Sequence, residues 1–421
     1  MMVPGAESTD ASTKQARKMS RKIFISAGEA SGEHYGALLI GALKERLAVS
    51  REAGERSDKD TGEPTAPELY FGMGGERMAA AGLDCVVRSE EMAVMGITEV
   101  VRHLPRIYRG FRKLKRAIQE QPPDVAVLID FPDIHFKLAK ELHRLGIPVI
   151  FFVSPQLWAW KKGRIKLVQK YVSKMLVIFP FEEPFYLERG VPAEFVGHPL
   201  AELPLPAVSR EEFAAAQGLD AGKMWIGLLP GSRAKEIRDN LPEMLRAARG
   251  LAGNFEFVLP LAATLNAVQR EAVRRLVEVQ GAGLKIRLVE DARAALFHAR
   301  GSVVASGTAT LEAALIGNPF VVVYRVSPLT YAIAKRVVTV EHVAMANLIA
   351  GKRVVPELIQ SDFTAENIVQ QLQPLLSDGR VRESMMEELK RIRGLLDTGR
   401  TGDGAIGRVA EVTLELLDVA G

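Results

Sequence analysis

Three residue groups, each at the end of an apolar run, suit chemistry on a phosphorylated, hydroxyl-bearing substrate. Asp130 closes DVAVLID, Arg233 lies in LLPGSR, and Ser306, Gly307 and Thr308 follow the run that opens VVASGTATLEAAL. A carboxylate at a strand tip can act as general base on a hydroxyl within hydrogen-bond reach. Asp133, three residues on, stands where it can pair with Asp130 or orient it. A guanidinium at the turn Pro230–Gly231 can clamp a diphosphate with two parallel hydrogen bonds. A small-residue turn opening a helix leaves main-chain N–H groups without partners, and with the helix dipole they favour an anion. Glu312 falls one to two turns into that helix, placed to accept from sugar hydroxyls. Each group also fits a plainer reading: Asp130 as a helix cap, Arg233 as a surface arginine at a tight turn, and 306–308 as an ordinary capped loop.

Further segments extend the pattern. SAGEASGEHYG follows the first apolar run. Its Gly28 and Gly32 bring backbone close to a ligand, and Glu29 and Ser31 face the same side. It does not match G-x-G-x-x-G, so a βα turn explains it equally well. SPQLWAW carries Trp158 and Trp160, two of the chain's three tryptophans, as core filling or as one wall of a pocket. Leu104, Ile107, Tyr108, Phe111, Leu114 and Ile118 form an apolar stripe at helical spacing, with Arg102, Arg106, Arg109, Arg112, Lys113, Lys115 and Arg116 around it. That is either a core-packed helix with a solvated basic face or a surface for anionic headgroups. The apolar MAVMGI at 92–97 precedes it. His198, in GHP, reads as a hinge histidine. One cysteine and no H-E-x-x-H leave no expected metal site.

The elements that must hold these groups follow from length and periodicity. With 421 residues the chain has room for two or three domains. Lysine and arginine number 55 against 51 aspartate and glutamate, an excess too small to argue for nucleic acid. No apolar run approaches the roughly 20 residues of a membrane span. Residues 1–20 are polar and read as a disordered leader without a signal peptide, which fits a cytoplasmic protein. Continuous apolar runs at 22–27, 68–72, 124–130 and 148–153 alternate with helical patterns, as buried parallel strands do. A charged stretch at 50–67 reads as a loop. A second βα series starts at 225, past the Pro-rich 197–206. The expected fold is α/β, two Rossmann-like domains facing a cleft, at 21–200 and 201–421, the second ending in helices.

Together the segments resemble the lipid-A-disaccharide synthases, glycosyltransferases of the GT-B type. The resemblance rests on SAGEASGE at 26–33, EEMAVMGITEV at 90–100, DFPDIHF at 130–136, VSPQLWAWKKGR at 153–164 and FPFEEPFY at 179–186. It continues through FVGHPLA at 195–201, LLPGSRAKEI at 228–237, ASGTATLEAAL at 305–315, YRVSPLTYAIAKR at 324–336 and ANLIAGKRVVPELIQ at 346–360. The family pattern usually has other residues at Glu33, Gln156 and Ala346. The resemblance implies an inverting transfer from UDP-2,3-diacylglucosamine to 2,3-diacylglucosamine 1-phosphate, giving a β-1,6-linked disaccharide phosphate and UDP without a cofactor. It places the catalytic base at Asp130. UDP contacts fall on Arg233, Ser306, Gly307, Thr308, Glu312 and Asn347; Gly28, Glu29, Ser31, Met95 and Trp158, from the motifs read above, are the candidates for the acceptor or cleft side. It also implies an acceptor-side first domain, a UDP-sugar-binding second domain, attachment to the cytoplasmic face of the inner membrane, and a homodimer formed by exchange of the Leu-rich tail from Arg380 to Val419. Two other readings share these features: a UDP-N-acetylglucosamine 2-epimerase of the same two-domain form, and a non-catalytic sugar-nucleotide or lipid-binding module.

Overall fold

The structure, a computed structural model, describes residues 21–57, 68–92, 97–160, 162–251, 253, 255–326, 331, 341–399 and 404–420. The expected leader, Met95 and most of the 92–97 patch lie outside the described residues. The chain divides into two compact units, Met1–Pro199 with Thr398–Gly421, and Leu200–Asp397.

The first unit holds seven parallel strands: β1 (Lys22–Ala27), β2 (Leu69–Gly74), β3 (Asp84–Arg88), β4 (Val125–Ile129), β5 (Val149–Phe152), β6 (Lys174–Val177) and β7 (Ala193–Phe195). Their order is β3-β2-β1-β4-β5-β6-β7. The second unit holds β8 (Met224–Leu229), β9 (Phe255–Pro260), β10 (Ile286–Val289), β11 (Gly301–Ala305), β12 (Phe320–Tyr324) and β13 (Glu357–Ile359). Their order is β10-β9-β8-β11-β12-β13, again all parallel. Both sheets are doubly wound. In each, the direction of winding reverses next to the first strand, between β1 and β4 and between β8 and β11. At such a reversal the two flanking loops diverge to opposite faces and leave a crevice at the carboxyl ends of the strands.

Burial explains why these strands read as unbroken apolar runs. Along β4, Val125, Val127 and Ile129 join one apolar cluster, while Ala126 and Leu128 join another on the opposite face. Both faces of the sheet are covered, so neither side of the strand can be polar. Two short strands, β3 and β13, were not expected. Both lie at sheet edges, where three to five residues with half-buried side chains give little periodic signal.

Two other expectations are corrected. The stretch expected as a loop from residue 50 is helical as far as Ser57, because Ala30–Ser57 is one helix. Good helix formers at 51–53 and 55–56 carry it past the expected end. The terminal helices do not all belong to the second unit. Ala365–Leu376 and Arg380–Leu396 do, but Gly404–Ala420 returns to the first. Its Ala405, Ile406, Val409, Ala410, Val412 and Leu417 complete the apolar cluster beneath β1, β4 and β5. Arg408 fastens it there through two bonds to Glu194, at 2.6 and 3.1 Å. That guanidinium, with Lys174 beside it, holds the Glu194 carboxyl down at about 2.

Candidate active site

The sequence motifs of the first unit fall on four neighbouring strand ends. SAGEASGE leaves β1, DFPDIHF leaves β4, VSPQLWAW leaves β5 and FPFEEPFY leaves β6. The winding reversal lies between the first two, so Gly28 and Asp130 flank it.

Asp130 ends β4 with φ +51°, and Phe131 follows with φ +53°. Left-handed backbone costs a residue with a Cβ of order 1–2 kcal/mol, so two in succession require support from outside the turn. Asp130 N–H donates to Phe152 O on β5 at 2.9 Å. The ring of Phe131 lies over Gly28, where a Cβ would come within 2.3 Å of it. Gly28 is therefore required by this turn. The side chain of His135, on the helix Pro132–Arg144, hydrogen-bonds to the Asp130 carbonyl. Burial and the neighbouring Glu29 carboxylate push the Asp130 carboxyl up to about 6, against a smaller pull from the Phe131 N–H. Asp133 does not pair with Asp130. It is exposed and bonds Arg164 instead, because as the second residue of its helix it points outward from the strand end.

The β5 and β6 ends form a second cluster. Val153 is left-handed, with φ +63°, and turns the chain into the Trp158 loop. Trp158 packs edge-on against Phe181, 4.9 Å between ring centres, and its Nε1–H donates to Glu182 at 3.0 Å. Glu182 is buried and also accepts from Phe179 N–H at 3.2 Å. Burial outweighs those bonds and raises its carboxyl to about 7. His198 is buried beside Phe179, and burial lowers it to about 4. Ser31 lies exposed in the first turn of Ala30–Ser57. Glu33, in the same turn, accepts from Arg77 N–H at 2.7 Å and so caps the helix Glu76–Ala81.

In the second unit the reversal lies between β8 and β11, and LLPGSR and SGT leave those two strands. Gly231 has φ +122°, and Glu236 braces the turn by accepting from Ser232 N–H at 3.1 Å and from Arg233 at 2.8 Å. Arg233 is exposed and has further N–H groups to offer. Thr308–Ile316 forms the expected helix, stopped by a left-handed Gly317. It is preceded by Gly307 at φ 148°, ψ −163°, with no side chain capping its first turn. That backbone conformation is essentially reserved for glycine. Ser306 donates its N–H to Val323 O, and Thr310 Oγ1 donates to Gly307 O at 2.7 Å, which fixes the loop. Glu312 is half-buried and raised by burial, opposed by Arg293, and no hydrogen-bond partner for its carboxylate lies among the described residues.

Asn347 is the exception among the expected nucleotide contacts. It is fully buried. Its Nδ2 donates to Val355 O and Glu357, and its Oδ1 accepts from Val354 and Val355 N–H, at 2.7–3.0 Å. The amide is fully engaged within the chain, where it shapes the 344–357 segment. Ser26, His135, Glu182 and Glu236 were not singled out from sequence. The two glutamates look like helix-start acids, and nothing local links His135 to a carbonyl five residues earlier.

Comparison with known proteins bears on the family and the fold. The profile described as lipid-A-disaccharide synthetase matches residues 23–402. A protein of Acidobacterium capsulatum described as lipid-A-disaccharide synthase is 60% identical over 404 residues, covering 94% of this chain and 96% of that protein. Among solved structures, the glycotransferase of kitacinnamycin superposes with TM-score 0.59 at 15% identity, over 94% of this chain and 98% of its own. UDP-GlcNAc 2-epimerase from Neisseria meningitidis bound to UDP-GlcNAc does so with TM-score 0.57 at 13% identity, over 94% and 100%. At those identities the structural likeness speaks for the fold alone.

Proposed function

The chain belongs to the lipid-A-disaccharide synthetase family, and from that membership we propose the reaction and the division of labour that follow. It is a glycosyltransferase of lipid A biosynthesis that uses a UDP-sugar. It transfers the sugar of UDP-2,3-diacylglucosamine to the 6-hydroxyl of 2,3-diacylglucosamine 1-phosphate, in one displacement that inverts the anomeric carbon. Asp130 takes the proton from that hydroxyl. Arg233 and the N–H groups at Gly307 and Thr308 bind the diphosphate and stabilise the charge that gathers on UDP as it leaves, and Glu312 accepts from the donor's hydroxyls. The first unit serves the acceptor, with Gly28, Glu29, Ser31 and Trp158 around it, and the second serves the UDP-sugar.

The observation that carries this reading is the turn after β4, which holds a half-buried carboxylate near pH 6 at the winding reversal. A base of that strength is ionised at neutral pH yet still takes up a proton readily. The epimerase reading has only the shared fold in its favour. The test is UDP release from the diacylated donor with and without the acceptor phosphate. Release that requires the acceptor is expected, and equal release without it would refute the transfer.

The same proposal places the enzyme on the cytoplasmic face of the inner membrane. No helix among the described residues is long and apolar enough to cross a membrane. On Ile97–Glu120, Leu114 and Ile118 are buried in the core, but Leu104 and Tyr108 are 51% and 61% exposed beside Arg106, Arg109 and Arg112. Apolar side chains ringed by arginine suit insertion among anionic headgroups. Changing those three arginines to Glu should abolish sedimentation with anionic liposomes, and unchanged sedimentation would remove the membrane role.

A further inference from the structure

We propose that His135 is a positioning residue for Asp130: its imidazole, bonded to the Asp130 carbonyl on one side and to the Ser26 hydroxyl on the other, holds the left-handed turn that aims the carboxylate. The inference rests on Asp130 being the general base.

His135 and Ser26 are both 0% exposed. Nδ1 meets the Asp130 main-chain carbonyl, and Nε2 lies 2.9 Å from Ser26 Oγ. A carbonyl can only accept, so the proton sits on Nδ1. The neutral ring then presents Nε2 as an acceptor, and Ser26 donates to it. Burial lowers the ring to about 4, which keeps it in this one form wherever the enzyme works. The rings of Phe131 and Phe151 meet it edge-on, at 5.8 and 6.1 Å between ring centres. The charged group facing this cluster is Glu29, which acts on Asp130.

Both ring nitrogens are spent inside the first unit, so His135 does not reach substrate. What it reaches is the strained peptide. Ser26 is on β1 and pairs with Leu128 of β4, two residues before Asp130. The chain of bonds Ser26–His135–Asp130 thus crosses the winding reversal and ties its two sides together. An extended backbone at Asp130 would break the bond to His135 and turn the carboxylate elsewhere. The ring therefore supplies part of the outside support that two left-handed residues need.

The test compares H135L, H135N and S26A with the parent enzyme in acceptor-dependent UDP release, over pH 4.5–9, with UDP affinity measured by calorimetry. H135L removes both bonds. It should lower kcat by about 100-fold, the usual cost of misplacing a reacting group by about 1 Å. UDP affinity should stay unchanged. The acid limb of kcat/KM should move below its position near pH 6, since a carboxylate released toward solvent returns toward its ordinary value. Asn can place its amide N–H close to where Nδ1 stands, so H135N should recover most of the rate and the limb. S26A should fall between. A folded H135L with kcat within twofold of the parent and an unmoved limb would overturn the proposal. Should H135L not fold, a parental rate and limb in S26A together with a folded, inactive H135N would overturn it. D130N separates this from the underlying reading: turnover retained in D130N removes the base, whereas turnover lost in D130N but intact in H135L removes only the positioning role.

Discussion

The two sheets have the same strand order up to their sixth strand and the same winding reversal, yet their carboxyl edges are built by opposite means. At the β4 and β5 ends of the first unit the left-handed positions are Asp130, Phe131 and Val153, all bearing side chains. Asp130 there is half-buried and Glu182, past the neighbouring β6, is buried, and their carboxyls are pushed up to about 6 and about 7. At the β8 and β11 ends of the second unit the positive φ values belong to Gly231 and Gly307, and Arg233, Gly307 and Thr308 are exposed. Strain with burial fixes one side chain in one place and tunes its proton. Glycine with exposure leaves main-chain N–H groups and a guanidinium free to wrap an anion. On the proposed assignment one scaffold carries a proton-transfer device and an anion-binding device, and perturbing either edge should give a different kinetic signature.

The largest effect should come from the first edge. Asp130→Asn keeps the size of the side chain and removes the proposed base, so kcat should fall by about 10²–10⁴-fold while UDP affinity by calorimetry is unchanged. In the parent enzyme the base must be ionised. Its ionised fraction falls as pH drops through about 6, so kcat/KM should decline tenfold per pH unit below that point. A limb at the ordinary carboxylate position near 4 would mean the burial at this edge does not tune the base.

At the second edge, Arg233→Ala removes a charged donor that is exposed and only partly used by Glu236. Hydrogen bonds to charged groups contribute about 1.5–3 kcal/mol, so UDP should bind about 10–100-fold more weakly. The acid limb should stay where it is, since Asp130 is untouched. A shifted limb with unchanged UDP affinity would reverse the assignment of the two edges.

How far these edges were legible from sequence follows the same division. Asp130, Arg233 and the Ser306–Thr308 turn stand directly after apolar runs, and residue type with a strand-then-helix context is enough to mark them. The strand order was not legible. Periodicity says that a strand is buried on both faces but not which strands are its neighbours, so the coincidence of motifs with both reversals appears only in the fold. The helix Gly404–Ala420 shows the same limit: its apolar spacing announced a buried face, but the sheet that buries it is the first one. The burial of Asn347 was not legible either, because a buried amide and a ligand-binding amide look alike in sequence. His135 and Ser26 are 109 residues apart, and neither has a partner that spacing could suggest.

The smallest expected effect separates burial from exposure as the tuning agent. Glu182 accepts from donors that include Trp158 Nε1–H and Phe179 N–H, and burial raises its carboxyl from 4.5 to about 7. A carboxyl raised in the fold contributes its full stability below its ordinary value and loses that contribution as pH rises through about 7. Gln at this position has one oxygen, and its NH2 would face a donor, so Glu182→Gln should lose one hydrogen bond, about 1 kcal/mol, at pH 5. At pH 8 the parent carries the cost of a buried charge and Gln does not, so the gap in melting temperature should close or reverse. The matching change at the other edge, Arg233→Gln, involves an exposed side chain and should show the same small melting difference at both pH values. Equal pH dependence in the two variants would mean that burial does not distinguish the edges, and the contrast would then rest on backbone conformation alone.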